Sequence, residues 1–193
     1  MPIVFGIFVG GRATRFGGVA KGLLPAPATG EPIVERLAAL VRAARADAEV
    51  MLVGAAGAYE AVRIDVIPDS PGGVGPIGGL AALVEHAAAR GAPAAVALAG
   101  DMPSVTLKLL ERLLLHAPEA DAVAPRLDDK WHPLFARYRP EPALAAVERC
   151  LASGRLGLYR VLADLGDGAV QLPVTPEEAL ALRDWDEPGD IRR

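Results

Sequence analysis

Short apolar runs that alternate with segments of helical periodicity constrain this chain more than any other feature. Ile3 to Val9, Val50 to Val53, Ile64 to Ile67 and Ala94 to Ala99 each read as a buried strand. Between them, Pro32 to Val41 places Ile33, Leu37, Leu40 and Val41 on one helical face, and Gly79 to Arg90 turns Leu80, Leu83, Val84 and Ala87 inward. Pro32 suits a first helical turn and Gly91 a stop. A short helix is predicted near Tyr59 to Val62, and another from a cap at Ser104 or Thr106 through Leu114. Such alternation predicts an α/β chain: three layers, α/β/α, around a mainly parallel central sheet. The second half is less regular. Ala122 to Ala124, Leu134 to Tyr138 and Ala169 to Leu172 read as strands, Pro142 to Ala152 and Arg155 to Leu165 as helices. In 193 residues there is no internal repeat and no linker long enough to divide the chain, so one domain spanning 1–193 is expected.

Ligands on parallel sheets gather at the carboxyl ends of the strands. Gly10-Gly11, Gly54, Asp69 and Asp101 each lie just past such an end, so the chemistry is expected on one rim. The loop after the first strand, Gly10-Gly11-Arg12-Ala13-Thr14-Arg15-Phe16-Gly17-Gly18-Val19-Ala20-Lys21, combines four glycines with two arginines and a lysine. Glycine lets backbone N–H groups approach anionic oxygens, Arg15 adds a planar fork and Lys21 a point charge. A polyphosphate is the ligand such a loop suits. Two common phosphate loops fail on spacing: Lys21 stands between Ala20 and Gly22, unlike a Walker lysine, and Gly10-Gly11-Arg12-Ala13 is not a dinucleotide turn.

Composition narrows the setting. The net charge of −4 argues against nucleic acid as the principal partner, and no apolar run is long enough for a membrane span. Met1-Pro2-Ile3-Val4-Phe5 enters a strand without the features of a signal peptide, so a cytoplasmic location is expected. Cys150 is the one cysteine, which excludes an internal disulfide and a cysteine-based zinc cluster; its helical surroundings mark it as a small buried hydrophobe.

Asp101 follows Val96-Ala97-Leu98-Ala99 and precedes a sharp turn at Pro103, where a carboxylate suits either a hard cation such as Mg2+ or a helix cap. Asp69 stands in Ile67-Pro68-Asp69-Ser70-Pro71-Gly72-Gly73-Val74-Gly75-Pro76-Ile77-Gly78-Gly79, which is costly to order unless its backbone shape matters. His86 and His116 fall in helical patterns, facing solvent or capping an end.

The first loop, with its G-G-x-x-x-R-x-G-G-x-x-K spacing through Lys21, resembles the signature of sugar-nucleotide-type nucleotidyltransferases. Within that superfamily the chain is most similar to the molybdenum cofactor guanylyltransferases, from Val4 to Ile191. The strongest parts are the loop, the Gly75-Pro76-Ile77-Gly78-Gly79 run and the Gly100-Asp101-Met102-Pro103 turn. The resemblance implies a Rossmann-like nucleotide-diphospho-sugar-transferase fold and transfer of GMP from GTP to the terminal phosphate of molybdopterin or Mo-molybdopterin, with release of pyrophosphate. It implies Mg2+ as cofactor, held by Asp101 and, in Arg183-Asp184-Trp185-Asp186-Glu187-Pro188-Gly189-Asp190-Ile191, by Asp186. Nucleotide contacts fall on Phe8, Val9, Gly10, Gly11, Lys21, Gly54, Asp69 and Asp101, with Gly10, Gly11, Arg15 and Lys21 holding the triphosphate. Arg15, Lys21 and Asp101 are the catalytic candidates. His132, in Trp131-His132-Pro133-Leu134-Phe135-Ala136-Arg137-Tyr138, resembles a family run near the acceptor pocket, as a base or a structural group. Molybdoenzyme-maturation proteins are the macromolecular partners this reading suggests.

The chain departs from the family pattern at Ala20, usually aspartate, at Gly54 and Asp186, often asparagine, and in an insertion from Ala26 to Glu31. Two other readings therefore stand beside guanylyl transfer: a CTP-dependent or other nucleotidyltransferase, and a nucleotide-binding paralogue without catalysis.

Overall fold

The computed structural model describes residues 1–10, 20–27, 29–54 and 57–183. At its centre is β1 (Val4–Phe8), hydrogen-bonded on both sides and buried throughout, as its unbroken apolar run predicts. It pairs in parallel with β2 (Glu49–Val53) and β4 (Ala95–Ala99), and β3 (Asp65–Ile67) extends the parallel set beyond β2. On the other flank, β7 (Phe135–Tyr138) runs antiparallel between β4 and β5 (Ala122–Leu127), so β5 regains the direction of β4. Parallel β8 (Ala169–Leu172) and antiparallel β6 (Lys130–Trp131) both join β5.

Strand alternation feeds two cores. Phe5, Ile7, Leu52, Val96 and Leu98 point to the side covered by α1 (Ile33–Ala44) and α3 (Leu107–Leu115). The other face carries Val4 and Phe8 but also Ala95, Ala97, Ala122, Ala124 and Ala136, against α2 (Pro76–Ala89), α4 (Pro140–Ala152) and α5 (Tyr159–Leu165). Small residues there bring the helices close. At Gly6 a Cβ would stand 2.7 Å from Val53 Cγ2 and 2.8 Å from Leu83 Cδ2, so this glycine seats α2 on the sheet.

Several boundaries differ from the sequence expectation, each for a local reason. α2 starts at Pro76 rather than Gly79, because Gly75 at φ 78° turns the chain and Pro76 fills the first helical position. α4 starts at Pro140 rather than Pro142, because extended Arg139 (φ −75°, ψ 127°) leads directly into a proline at the first helical position. α5 starts at Tyr159, later than Arg155, since Gly154 at φ 68° ends α4 and residues 155–157 run without regular structure. The helix near Tyr59 is a single 3-10 turn, Gly57–Tyr59. Thr106, not Ser104, caps α3: its Oγ1 accepts the Leu109 N–H at 3.2 Å.

Two elements had no clear sequence signal. β6 arises because Asp128 and Asp129 both adopt positive φ, 48° and 60°, closing a two-residue hairpin without the usual glycine. α6 (Pro176–Ala181) is short, but Thr175 and Glu178 form a reciprocal capping box, and Glu178 also pairs with Arg112 of α3. No helix among the described residues is long and apolar enough to cross a membrane.

Candidate functional site

Register places the ends of four parallel strands level. Phe8 lies beside Val53 and Ala99, and Val53 beside Ile67. The pairing continues one residue further: Val9 N–H donates to Val53 O (3.0 Å), Gly54 N–H to Ile67 O (2.9 Å) and Gly100 N–H to Phe8 O (2.9 Å). The rim anticipated from the sequence is thus continuous from β3 to β4.

On one side of β1 the rim is built from backbone in close approach. Gly54 has φ 109°, and a Cβ there would lie 3.3 Å from Gly10 N and 3.6 Å from Asp69 Oδ1. That conformation favours glycine at this position. The Asp69 carboxylate lies over the first turn of α2, 2.9 Å from the point a Gly79 Cβ would occupy. A carboxylate suits that helix end electrostatically. Ser70 N–H donates to Gly78 O at 3.1 Å, folding the proline-rich loop onto the same turn. Phe8, Val9, Gly10, Gly54 and Asp69 therefore converge, with Gly10 exposed and Val9 and Asp69 half-buried.

On the other side of β1 the rim carries charge. Lys21 Nζ lies 3.1 Å from Asp101 Oδ2, with the two side chains 27% and 22% exposed. Residues far apart in the chain meet because the 3-10 turn Lys21–Leu23 packs on α1 and abuts the end of β4; a Cβ on Gly22 would stand 3.1 Å from Gly100 O. The buried Tyr59 hydroxyl accepts the Gly22 N–H at 3.3 Å. Burial raises its pKa and the Asp101 charge adds to the rise, while the Gly22 hydrogen bond opposes it. Arg36 of α1 donates to Val105 O at 2.8 Å, bracing the loop that follows Asp101. Sequence reasoning missed Tyr59 and Arg36, since neither belongs to a motif. Because Thr106 caps α3, Asp101 is not the cap that its sequence position also allowed.

His132 is half-buried where the chain enters β7, and its backbone N–H donates to Pro125 O at 3.0 Å. Desolvation holds its pKa below the usual histidine value, against an opposing pull from Asp128. His86 pairs with Glu49 at 2.9 Å, far from the rim at the start of β2. His116 ends α3. Cys150 is fully buried and its thiol is pushed up by desolvation, the opposite of a nucleophile's environment. Gly11, Arg15 and Asp186 lie outside the described residues. Among the described residues no three or more His, Cys, Asp or Glu side chains cluster as a metal cage.

Comparison with known proteins agrees with this architecture. The MobA-like NTP transferase domain matches residues 6–169. The chain is 32% identical to the molybdenum cofactor guanylyltransferase of Pseudomonas putida strain GB-1, over 81% of this chain and 80% of that protein. It is 29% identical to the probable molybdenum cofactor guanylyltransferase of Natronomonas pharaonis, over 97% and 94%. Among solved structures it superposes on molybdopterin-guanine dinucleotide biosynthesis protein A from Archaeoglobus fulgidus with a TM-score of 0.72 and 25% identity, covering 98% of this chain and 95% of that one. With the matched domain spanning most of its length and carrying the whole rim, the chain belongs to the MobA-like NTP transferase family and is a nucleotidyltransferase.

Proposed function

We propose that this nucleotidyltransferase is a molybdenum cofactor guanylyltransferase of the cytoplasm, moving GMP from GTP to the terminal phosphate of molybdopterin in its molybdenum-bearing form. An acceptor phosphate oxygen attacks the α-phosphorus of GTP, the bond from that phosphorus to the bridging oxygen breaks, and pyrophosphate leaves with the electron pair. A phosphate is already a competent nucleophile, so positioning and charge stabilisation carry the rate.

The observation that carries this reading is the Lys21–Asp101 pair at the rim. Partly open to water, such a pair is worth on the order of 1 kcal/mol, so a highly charged ligand separates it. Lys21 would then turn to the phosphates, and Asp101 would offer its carboxylate to Mg2+. One hard carboxylate, part-exposed and with no cage of His, Cys, Asp or Glu around it among the described residues, fits the habit of magnesium, which takes its remaining ligands from phosphates and water. Bound there, the ion would neutralise charge on the triphosphate and the departing pyrophosphate. Asp69 orients the nucleotide, and the backbone of half-buried Val9 and exposed Gly10 contacts it beside Gly54, with Phe8 beneath. Arg15 and Gly11 would complete the phosphate cradle, and Asp186 would be a second metal ligand.

The test is a screen of GTP, CTP and ATP against purified molybdopterin, following pyrophosphate with Mg2+ present and after chelation. GTP-selective, chelator-sensitive release is expected. Preference for CTP would move the enzyme to cytidylyl transfer, and nucleotide binding without pyrophosphate on any acceptor would make it a silent paralogue.

A further inference from the structure

Beyond Asp101 the rim has a notch. Ala95 and Ala122 both pair with Tyr138, so β4 and β5 start level and run the same way, and Arg126 of β5 stands level with Ala99. Between them β7 runs in reverse, leaving no outgoing strand end; the two flanks are two strand spacings apart, about 10 Å. The far flank is the β5–β6 hairpin. There Arg126 faces its cross-strand partner Trp131, with the guanidinium 5.2 Å from the ring centroid. α5 packs against β6, and because β8 follows it in the direction of β5, α5 begins at the rim. Its first residue, Tyr159, is 49% exposed, and Arg160 lies 4.8 Å from that ring's centroid. Leu156, at 40%, is exposed just before it. One corner of the functional rim thus presents two rings, each carrying an arginine. Arg126 donates to the Asp129 carbonyl, and among the described residues neither arginine pairs with a carboxylate.

We propose that this corner binds the ring system of the acceptor, with the Arg126–Trp131 and Arg160–Tyr159 stacks giving flat, cationic faces to a planar, phosphorylated heterocycle. The proposal rests on the transfer reaction above and adds where its second substrate lies. A ligand seated there reaches across the notch with its phosphate toward Asp101, while the arginines stack on it or take its anionic groups.

The chain has two tryptophans, so Trp185→Phe leaves Trp131 as the only one. Titrating that enzyme with neopterin monophosphate, without GTP or metal, should quench Trp131 fluorescence saturably, whereas inorganic phosphate should not. Arg126→Gln and Tyr159→Ala, both at exposed positions, should weaken the quench. In the transfer assay each should raise the acceptor KM about tenfold and leave the GTP KM within about twofold. An unchanged acceptor KM in both variants, or a Trp131 signal indifferent to the pterin, overturns the proposal. So does loss of binding to a molybdoenzyme-maturation protein with acceptor KM unchanged, which makes the corner a protein-docking face. If the wild-type enzyme releases no pyrophosphate from GTP and molybdopterin while Trp131 still responds, the guanylyl reading fails and the ring site stands.

Discussion

The rim from β3 to β4 and the rim beyond β4 are built in different ways. In the first part, parallel strand ends lie level and glycines bring backbone segments into contact, so few side chains are needed: Asp69, Asp101 and Lys21. In the second part β7 runs backwards, and side chains hold the structure: Arg137 under α3, Trp131 beneath Arg126, His132 beside Pro125. The difference teaches that a surface suited to a polyphosphate can be made from chain direction and glycine, whereas the side proposed for the acceptor depends on particular side chains. Substitutions should therefore divide cleanly, with activity lost on the first side and stability or acceptor affinity lost on the second.

The largest effect is expected at Asp101. Asp101→Asn keeps the shape but removes the charge that pairs with Lys21 and the oxygen pair available to a metal. Pyrophosphate formation should fall by roughly a thousandfold, chiefly in kcat, with a thermal midpoint close to wild type. Near-normal turnover would break the assignment of the first side.

The next concerns the second side. Arg137 on β7 is 6% exposed, and its guanidinium donates to the carbonyls of His116, Ala117 and Pro118, the open end of α3. Desolvation lowers its pKa, with Glu119 opposing, yet the group stays charged at any working pH. Arg137→Met should cost about 2–3 kcal/mol in urea unfolding, because buried carbonyls lose a charged donor, while the KM for GTP stays near wild type. A shift in GTP KM larger than the change in stability would mean that the two sides are coupled.

How far each side was legible follows from the same contrast. Strand ends and the rim positions of Gly54, Asp69 and Asp101 could be read because glycine and proline spacing reports backbone shape directly. Central strands were read almost to the residue, since burial on both faces leaves an unbroken apolar run at β1 and β4. Tyr59 and Arg36 escaped, because a side chain that reaches a distant loop leaves no periodic trace. Arg137 sits in a run whose family resemblance drew attention to His132 instead. β6 was missed since Asp128 and Asp129 supply its positive φ values where glycine is the usual cue.

Gly79→Ala sharpens the first side. A methyl group there would meet Asp69 Oδ1, Phe8 Cε1 and Val53 Cγ1, each at 2.9 Å. Phe8 and Val53 are locked in the sheet, so Asp69 yields most easily. A loss of about 1–2 kcal/mol in stability is expected, with a severalfold higher KM for GTP and a smaller change for the acceptor. A stability loss with no change in GTP KM would show that Asp69 does not orient the nucleotide.

The smallest effect is expected at His132, half-buried where the chain enters β7. Its folded pKa is lowered by burial, against the opposing charge of Asp128, so the unfolded chain takes up this proton first as pH falls. In the interval below about pH 6.5 and above the folded value, the unfolded state binds more protons and stability rises with pH. The contribution is whole above that interval and is lost as pH falls through it. His132→Gln should flatten this segment of the thermal-midpoint curve. It should leave the acid segment, set by Asp164 and Glu178, whose arginine partners hold their pKa values low and whose stabilisation disappears as pH falls through them. Activity gives the sharper division. If His132 only fills its place beside Pro125, kcat follows the same pH profile in wild type and variant. If an acid limb below the ordinary histidine range vanishes with the imidazole, His132 accepts a proton in the reaction, and the second side contributes a base as well as a surface.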